Sequence, residues 1–454
     1  MKIHFIGIGG IGISGLAQFC YHRGDTIQGS DLAESAIFPV LRKLNIPLFL
    51  NQSADNITND IDLVVYTEAI PENNPELVQA GEMQIACKTY FEYLGEISKD
   101  YYTVAIAGTH GKTTTTGLVA AGCLEAGFDA TFLVGSTLKE FNGSNFRASL
   151  TTPHHSRVGG NPQKAMDPCF RRDEGNKIAC KKNKKPCLIV EACEYRDNFR
   201  FLEPDIVVLT SLEWDHIDYF KSEELYCDSF AKLINKAKTV IYHYDELLIA
   251  RVLQNFTGER IAVPRQSDNS TQFLLKIFGE FNERNALLAL TLAEKLDLKM
   301  NKFKLGLGKY EGAGRRQEFL GEKNGVQFFD DYAHHPTEVS ALLQGFRKKF
   351  TNSKIGLIYE PHQYSRTREF FDEFLTAFKQ ADFTALWPIY AARDTEEDKQ
   401  FRLEQFLEID DDLRVIRNND EIDSFVSQFG AGDIIIFCGA GKISEIGREW
   451  MGLG

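Results

Sequence analysis

Residues Thr103–Thr116 read TVAIAGTHGKTTTT. The apolar, partly β-branched run from Thr103 to Ala107 predicts a buried strand. Gly108, then Gly111, Lys112 and Thr113, predict a tight loop that feeds a helix N-terminus. Such a turn aims backbone N–H groups and the positive end of a helix dipole at an anion. Lys112 adds a mobile positive charge for the outer phosphates of a nucleotide, and the Thr113 hydroxyl is placed to hold Mg²⁺. The longer G-x-x-x-x-G-K-[ST] spacing is not met, because Ile106 stands five before Gly111. The loop is the shorter GTHGKTT form.

The chain around this loop has 454 residues, enough for about three domains with cores of their own. Its 43% hydrophobic and 25% charged content is ordinary for a globular protein. A net charge of −13 argues against a general nucleic-acid binder. No apolar run is long enough to predict a membrane span. MKIHFIGIGG reaches glycines at once and lacks the apolar core of a signal peptide. Nine scattered cysteines, with no C-x-x-C pair, predict reduced thiols and a cytoplasmic setting.

Upstream, Ile3–Ile6 predicts a strand, and Gly7, Gly9 and Gly12 fit G-x-G-x-x-G before a helix from about Ile13. Gly29, Ser30 and Asp31 end a second strand, where a Rossmann unit places an acidic residue for a ribose. Two readings stay open for these glycines: close strand–helix packing, or a nucleotide or nucleotide-sugar site. Downstream, strands are predicted at Leu188–Glu191, Ile206–Thr210 and Thr239–Tyr242, with helices at Asp228–Ala237 and Asn285–Leu296. From Gly312 a further α/β alternation follows, with strands near Gln327, Lys354, Phe383 and Asp433. Gly439, Ala440, Gly441 and Lys442 follow its last strand, as an anion-binding turn or a plain strand–helix turn. The expected fold class is therefore α/β in three domains. These are a Rossmann-like N-terminal domain (1–98), a central phosphate-loop ATPase domain with a mainly parallel sheet (99–311), and a C-terminal Rossmann-like domain (312–454).

The stretch from about 154 to 186 carries nine Lys/Arg against three Asp/Glu and has no apolar period. It predicts an inserted surface loop that activity does not need. A basic tract for an acidic partner, or a zinc site from His154, His155, Cys169, Cys180 and Cys187, is a weaker reading, since the spacings match no usual ligand pattern.

Three clusters carry further chemistry. Glu191 ends a predicted strand and is placed to hold Mg²⁺. Glu213, Asp215, His216 and Asp218 follow another strand, suiting a metal or proton-transfer role. Asp331, His334 and His335 form the third cluster with Arg315 and Arg316, whose charge suits a transferring phosphoryl group. For His334 and His335, capping of the helix that begins at Pro336 is the alternative. These parts describe an Mg²⁺–ATP enzyme with a separate domain for a second nucleotide-like ligand.

The segments GTHGKTTTT, the EAxE-type stretch at Glu191, E-x-D-H-x-D at Glu213–Asp218 and DDYAHHPTE together resemble the Mur ligases of bacterial peptidoglycan synthesis. FIGIGGIGISGLA, GSD at Gly29–Asp31, GAGRR at Gly312–Arg316 and EPHQYSRTREFFDEF at Glu360–Phe374 narrow the resemblance to the branch that adds the first amino acid. The resemblance implies ATP-dependent ligation of L-alanine to the carboxylate of UDP-N-acetylmuramate through an acyl phosphate, in the bacterial cytoplasm. It assigns Gly108, Thr109, His110, Gly111, Lys112, Thr113 and Thr114 to the ATP phosphates, and Thr113, Glu191 and His216 to Mg²⁺. Asn282 and Asn285 match the family's adenine-side asparagines. Arg316 and Asp331 would belong to a C-terminal domain closing over ATP, while His362 and Arg366 would face the amino acid. Gly7, Gly9, Gly10, Gly12, Ser30 and Asp31 would serve the UDP-sugar. Lys112, Glu191, His216, Arg316, His362 and Arg366 form the expected catalytic set, in a monomer or weak homodimer that takes neither nucleic acid nor membrane.

The chain departs from the family pattern at Phe281 (usually His), Gln363 (often Arg), Asn51-Gln52 (usually Gly-His), Ser211 (often Asn) and Cys193 (often Asp). The runner-up is the branch that attaches recycled murein tripeptide to the same nucleotide sugar. Readings from other classes are a nicotinamide-dependent oxidoreductase, which leaves Lys112 without a role, and a non-catalytic nucleotide-binding scaffold.

Overall fold

In a computed structural model the described residues are 1–150, 185–264, 275–392 and 394–453. The basic stretch, apart from its last two residues, lies outside them, as do its dispensability and four of the five zinc candidates. The fifth, Cys187, is a buried strand residue.

Among the described residues three sheets account for the strands, one within each expected domain. The first contains β1 (Lys2–Ile6), β2 (Thr26–Ser30), β3 (Leu48–Phe49), β4 (Leu63–Tyr66) and β5 (Ala86–Thr89), ordered 3-2-1-4-5 and all parallel. The second contains β6 (Tyr102–Ala107), β7 (Thr131–Leu138), β8 (Ser144–Arg147), β9 (Cys187–Glu191), β10 (Ile206–Leu209), β11 (Thr239–His243) and β12 (Glu259–Val263), ordered 12-11-10-6-9-7-8. Only its β7–β8 hairpin is antiparallel. The third contains β13 (Glu318–Lys323), β14 (Val326–Asp331), β15 (Ile355–Glu360), β16 (Phe383–Leu386), β17 (Arg414–Val415) and β18 (Ile434–Gly439), ordered 13-14-18-15-16-17. The central strands are buried on both faces, as parallel sheets covered by helices require; every residue of β10, β15 and β18 is buried.

The chain divides into two compact units. One comprises Met1–Asp215, Ser222–Leu274 and Asn285–Tyr310, and so holds the first two sheets. The other comprises His216–Lys221, Leu275–Arg284 and Glu311–Gly454 and holds the third. Among the described residues no helix is long and apolar enough to cross a membrane.

Local chemistry moves several element ends. The first helix starts at Ile11, two residues before the expected position. The helix expected at Asp228 starts at Glu223, because Ser222 caps it through Leu225 N–H and Glu223 and Glu224 suit the positive dipole end. The helix at Pro336 runs on to Lys349.

Candidate active site

The parallel register sets Ile106 of β6 opposite Val208 of β10 and Glu191 of β9. The loop after β6 therefore opens at the carboxyl edge of the sheet, where the chain switches sides and α/β folds bind ligands. Gly108 (φ 138°) and Gly111 (φ 81°) hold conformations that side chains rarely adopt. A Cβ on Gly108 would lie 2.2 Å from Thr210 Oγ1, and one on Gly111 would lie 2.5 Å from Asn285 Oδ1. Asn285 thus backs the phosphate loop from the helix Glu280–Lys295. Lys112 opens the loop helix, Lys112–Ala126.

Lys112 is held from three directions. Its ammonium donates to the carbonyls of Gly108 (2.6 Å) and Thr109 (3.1 Å) and to the Glu194 carboxylate (2.9 Å). Burial works against this charge, but Glu194, with smaller help from the acidic groups around it, keeps the Lys112 pKa above its ordinary value. Glu194 went unassigned in the sequence, although it sits three residues after Glu191 in EACEYR. Cys193 between them is half-buried, and its desolvation pushes the thiol up to about 12.

Thr113 donates its hydroxyl to Glu191 Oε1 at 2.9 Å, and Gly135 N–H donates to Glu191 Oε2 at 2.7 Å. The hydroxyl and the carboxylate, two hard oxygen donors, fit Mg²⁺. Thr109 accepts from Glu213 N–H (2.9 Å) and shares a hydrogen bond with Tyr226 (2.8 Å), while His110 meets Glu213 at 2.8 Å. Ser211 takes up its position by accepting from His110 N–H at 3.0 Å. Thr114 is buried in the first turn. His216 (φ 55°) belongs to the other unit.

In the first sheet the acidic residue turns onto the glycine loop. Asp31 accepts from Gly9 N–H at 2.8 Å and from Leu32 N–H at 2.7 Å. Gly12 packs on the Tyr90 ring, and Gly7 and Gly10 complete the turn. Ser30, expected to meet a ligand, is fully buried and donates to Glu76 at 2.5 Å, while its carbonyl accepts from Gly7 and Ile8 N–H, so it is committed within the fold. Glu76 also accepts from Asn56 (2.6 Å) and lies 3.4 Å from His4. Asn56 in turn donates to the Asn51 carbonyl and Asn74 to the Gln52 side chain, which ties down the unusual Asn51-Gln52 pair.

The second unit gathers its expected residues at the carboxyl ends of β14 and β15. Arg315 and Arg316 lie over the Tyr332 ring, 4.8 and 5.0 Å from its centroid. His362 stacks on Tyr390 (5.6 Å, 12°), and Arg366, on the short helix Tyr364–Glu369, reaches His362 Nδ1 and its carbonyl, each at 3.3 Å. Asp331 accepts from Gln317 N–H and Ala333 N–H, both at 2.8 Å, and burial pushes its pKa up to about 6. Asn282 donates to the Phe278 carbonyl at 2.8 Å, and Phe281 packs against Gly279. His335 caps the helix Pro336–Lys349 in a box with Glu338, so capping is its role within the fold. The turn Gly439–Lys442 is filled by the chain's own anion: Ile443 N–H donates to Glu360 at 2.9 Å, and a Cβ on Gly441 would lie 2.4 Å from that carboxylate.

Comparison with known proteins agrees along the whole chain. Residues 2–102 match the Mur ligase family catalytic domain, 106–270 the Mur ligase middle domain, and 315–441 the Mur ligase glutamate ligase domain. The UDP-N-acetylmuramate–L-alanine ligase of Clostridium acetobutylicum is 34% identical over 99% of this chain and 97% of its own. The fold is shared with the UDP-N-acetylmuramate–alanine ligase MurC of Thermotoga maritima (TM-score 0.77, 24% identity, 100% of this chain and 98% of that one). It is shared also with a murein peptide ligase of Psychrobacter arcticus (TM-score 0.70, 20% identity, 100% and 98%). With its phosphate loop, its paired Thr113 and Glu191 and these three matched regions, the chain belongs to the Mur ligase family of ATP-dependent amide-bond-forming ligases.

Proposed function

We propose that the protein joins L-alanine to the carboxylate of UDP-N-acetylmuramate in bacterial peptidoglycan synthesis, in the cytoplasm. The observation that carries the substrate assignment is the likeness, over 99% of the chain, to a ligase of that name. In this reading the muramoyl carboxylate attacks the γ-phosphorus of ATP, and ADP leaves. The amine of L-alanine then attacks the acyl carbon of the acyl phosphate, and phosphate leaves as the amide forms and the amine loses its proton.

The residues suit these steps. The loop amides and Lys112 would take the outer phosphates, and Lys112 would offset charge on the transferring group. Thr113 and Glu191 would hold Mg²⁺, with His216 proposed for a second metal position. A bound Mg²⁺ supplies charge neutralisation at the phosphoryl oxygens. Asn282, Asn285, Arg316 and Asp331 are proposed for ATP. His362 and Arg366 are proposed to face the amino acid, Arg366 as the permanent cation for its carboxylate.

Phosphate release from ATP and Mg²⁺ with UDP-N-acetylmuramate tests the reading. Alanine-dependent release with a new UDP-muramoyl-alanine mass supports it. Release only with the murein tripeptide moves the assignment to the peptide-recycling branch.

A further inference from the structure

We propose that Asn145 is a positioning residue for the reaction: through the β7–β8 hairpin it sets the register between the first helix, Ile11–Arg23, and the metal-side carboxylate Glu191. This inference rests on the function proposed above, with Glu191 at the metal, and on the expectation from the sequence that the glycines leading into that helix serve the nucleotide sugar.

Asn145 lies on β8 and is fully buried. A buried amide is costly unless its hydrogen bonds are made. Those of Asn145 run to one face of the first helix. Its Nδ2 donates to the Ile11 carbonyl and to Ser14 Oγ (3.2 Å), and its Oδ1 accepts from Gln18 Nε2 (2.9 Å). Ile11, Ser14 and Gln18 fall at i, i+3 and i+7, one stripe of the helix. The neighbouring Ser144 hydroxyl donates to Gln18 Oε1 at 2.8 Å, and Gln18 also donates to the Ser14 carbonyl. Gly15 lets the helix come close: a Cβ there would sit 3.1 Å from Asn145 Nδ2. Apolar surfaces slide over one another at little cost, whereas a satisfied buried polar network fixes one arrangement.

The other strand of the hairpin holds the metal side. β7 pairs with β9 (Leu133 with Val190), and Gly135 N–H grips Glu191 Oε2 at 2.7 Å. Phe132 and Leu133 pair with Arg147 and Phe146 of β8. One two-stranded element thus touches both the first turn of the sugar-side helix and the carboxylate beside Thr113. Transfer requires the sugar's carboxylate and the γ-phosphate to meet in a narrow geometry, so a small error in this register lowers the rate of the step without removing a ligand contact.

The test separates turnover from binding. Asn145→Ala and the milder Ser144→Ala, which removes the hydroxyl that donates to Gln18 and accepts from Phe146 N–H, are compared with wild type. Dissociation constants for UDP-N-acetylmuramate alone and for Mg·AMPPNP alone are measured by calorimetry, and kcat by phosphate release. Asn145→Ala is expected to lower kcat about tenfold to a hundredfold while both dissociation constants stay within about threefold. Ser144→Ala is expected to show a smaller fall in kcat with the same split, which keeps the test open if Asn145→Ala does not fold. The inference is overturned if folded variants keep wild-type kcat, or if kcat falls only in step with lost affinity for either ligand. Wild-type protein that binds neither the sugar nucleotide nor releases phosphate overturns the functional reading instead.

Discussion

Lys112 and Glu194 form an ion pair inside the protein, with Lys112 Nζ 2.8 Å from Glu194 Oε2 and the carboxylate 2% exposed. The phosphate-loop lysine is therefore oriented by three acceptors, two loop carbonyls and the Glu194 carboxylate. A buried pair is stabilising mainly as a pair, because removing one member strands the other.

Lys112→Met removes the cation beside Glu194 and is expected to lower stability by about 3–5 kcal/mol. Lys112→Met with Glu194→Gln should recover most of that loss, though not phosphate release. Urea unfolding of Lys112→Met, Glu194→Gln and the double variant decides it; additive losses would rule out coupling between the two side chains.

Gly135→Ala places a Cβ 2.5 Å from Glu191 Oε1, so the carboxylate must shift from its place beside Thr113. The Mg²⁺ concentration giving half-maximal activity is expected to rise about tenfold or more, as when a supporting group of a metal ligand is lost. A magnesium titration at saturating ATP reads this directly, and an unchanged midpoint would show that Glu191 does not serve the metal.

Asp331 ionises near pH 3.8 when unfolded and near pH 6 in the folded protein, where burial disfavours its charge. Between these values the folded state holds the additional proton. Its contribution is therefore full below about pH 4 and is lost as pH rises through about 6, a change of about 3 kcal/mol. The unfolding free energy of wild type relative to Asp331→Asn should fall by that amount from about pH 4 to about pH 7. Parallel stability curves for the two proteins would contradict it.

Gln363 has φ 76° and ψ 130°, a strained backbone for a residue with a side chain, and it is 4% exposed. Gln363→Gly relieves that strain and is expected to raise stability by roughly 1 kcal/mol. Thermal unfolding gives the sign. If stability rises while the KM for L-alanine also rises, the strain at Gln363 is held for the amino-acid site proposed next to His362.

Much of the fold was legible because strand-forming runs and glycine punctuation are local signals. The strand expected near Phe383 begins at that residue, and Ile3–Ile6 lacks only its first position. Lys112, Thr113 and Glu191 could be placed together because each ends or follows a parallel strand, and parallel strands bring their carboxyl ends to one edge. The short strands β3 and β17 and the edge strand β12 carry little apolar pattern of their own, being exposed or half-buried, and were not read.

The sequence by itself determined the central strands of the sheets, where the phosphate loop sits and which chemical groups stand at those strand ends, since these depend on residues adjacent along the chain. Only the tertiary structure decided where those groups point. It turned Ser30 inward to Glu76, filled the Gly439–Lys442 turn with Glu360, paired Lys112 with Glu194 and set Asn145 against Ile11. The physical reason is that a polar side chain takes the partner that burial leaves it, and that partner stands from 46 to 134 positions away along the chain, beyond the reach of any local pattern.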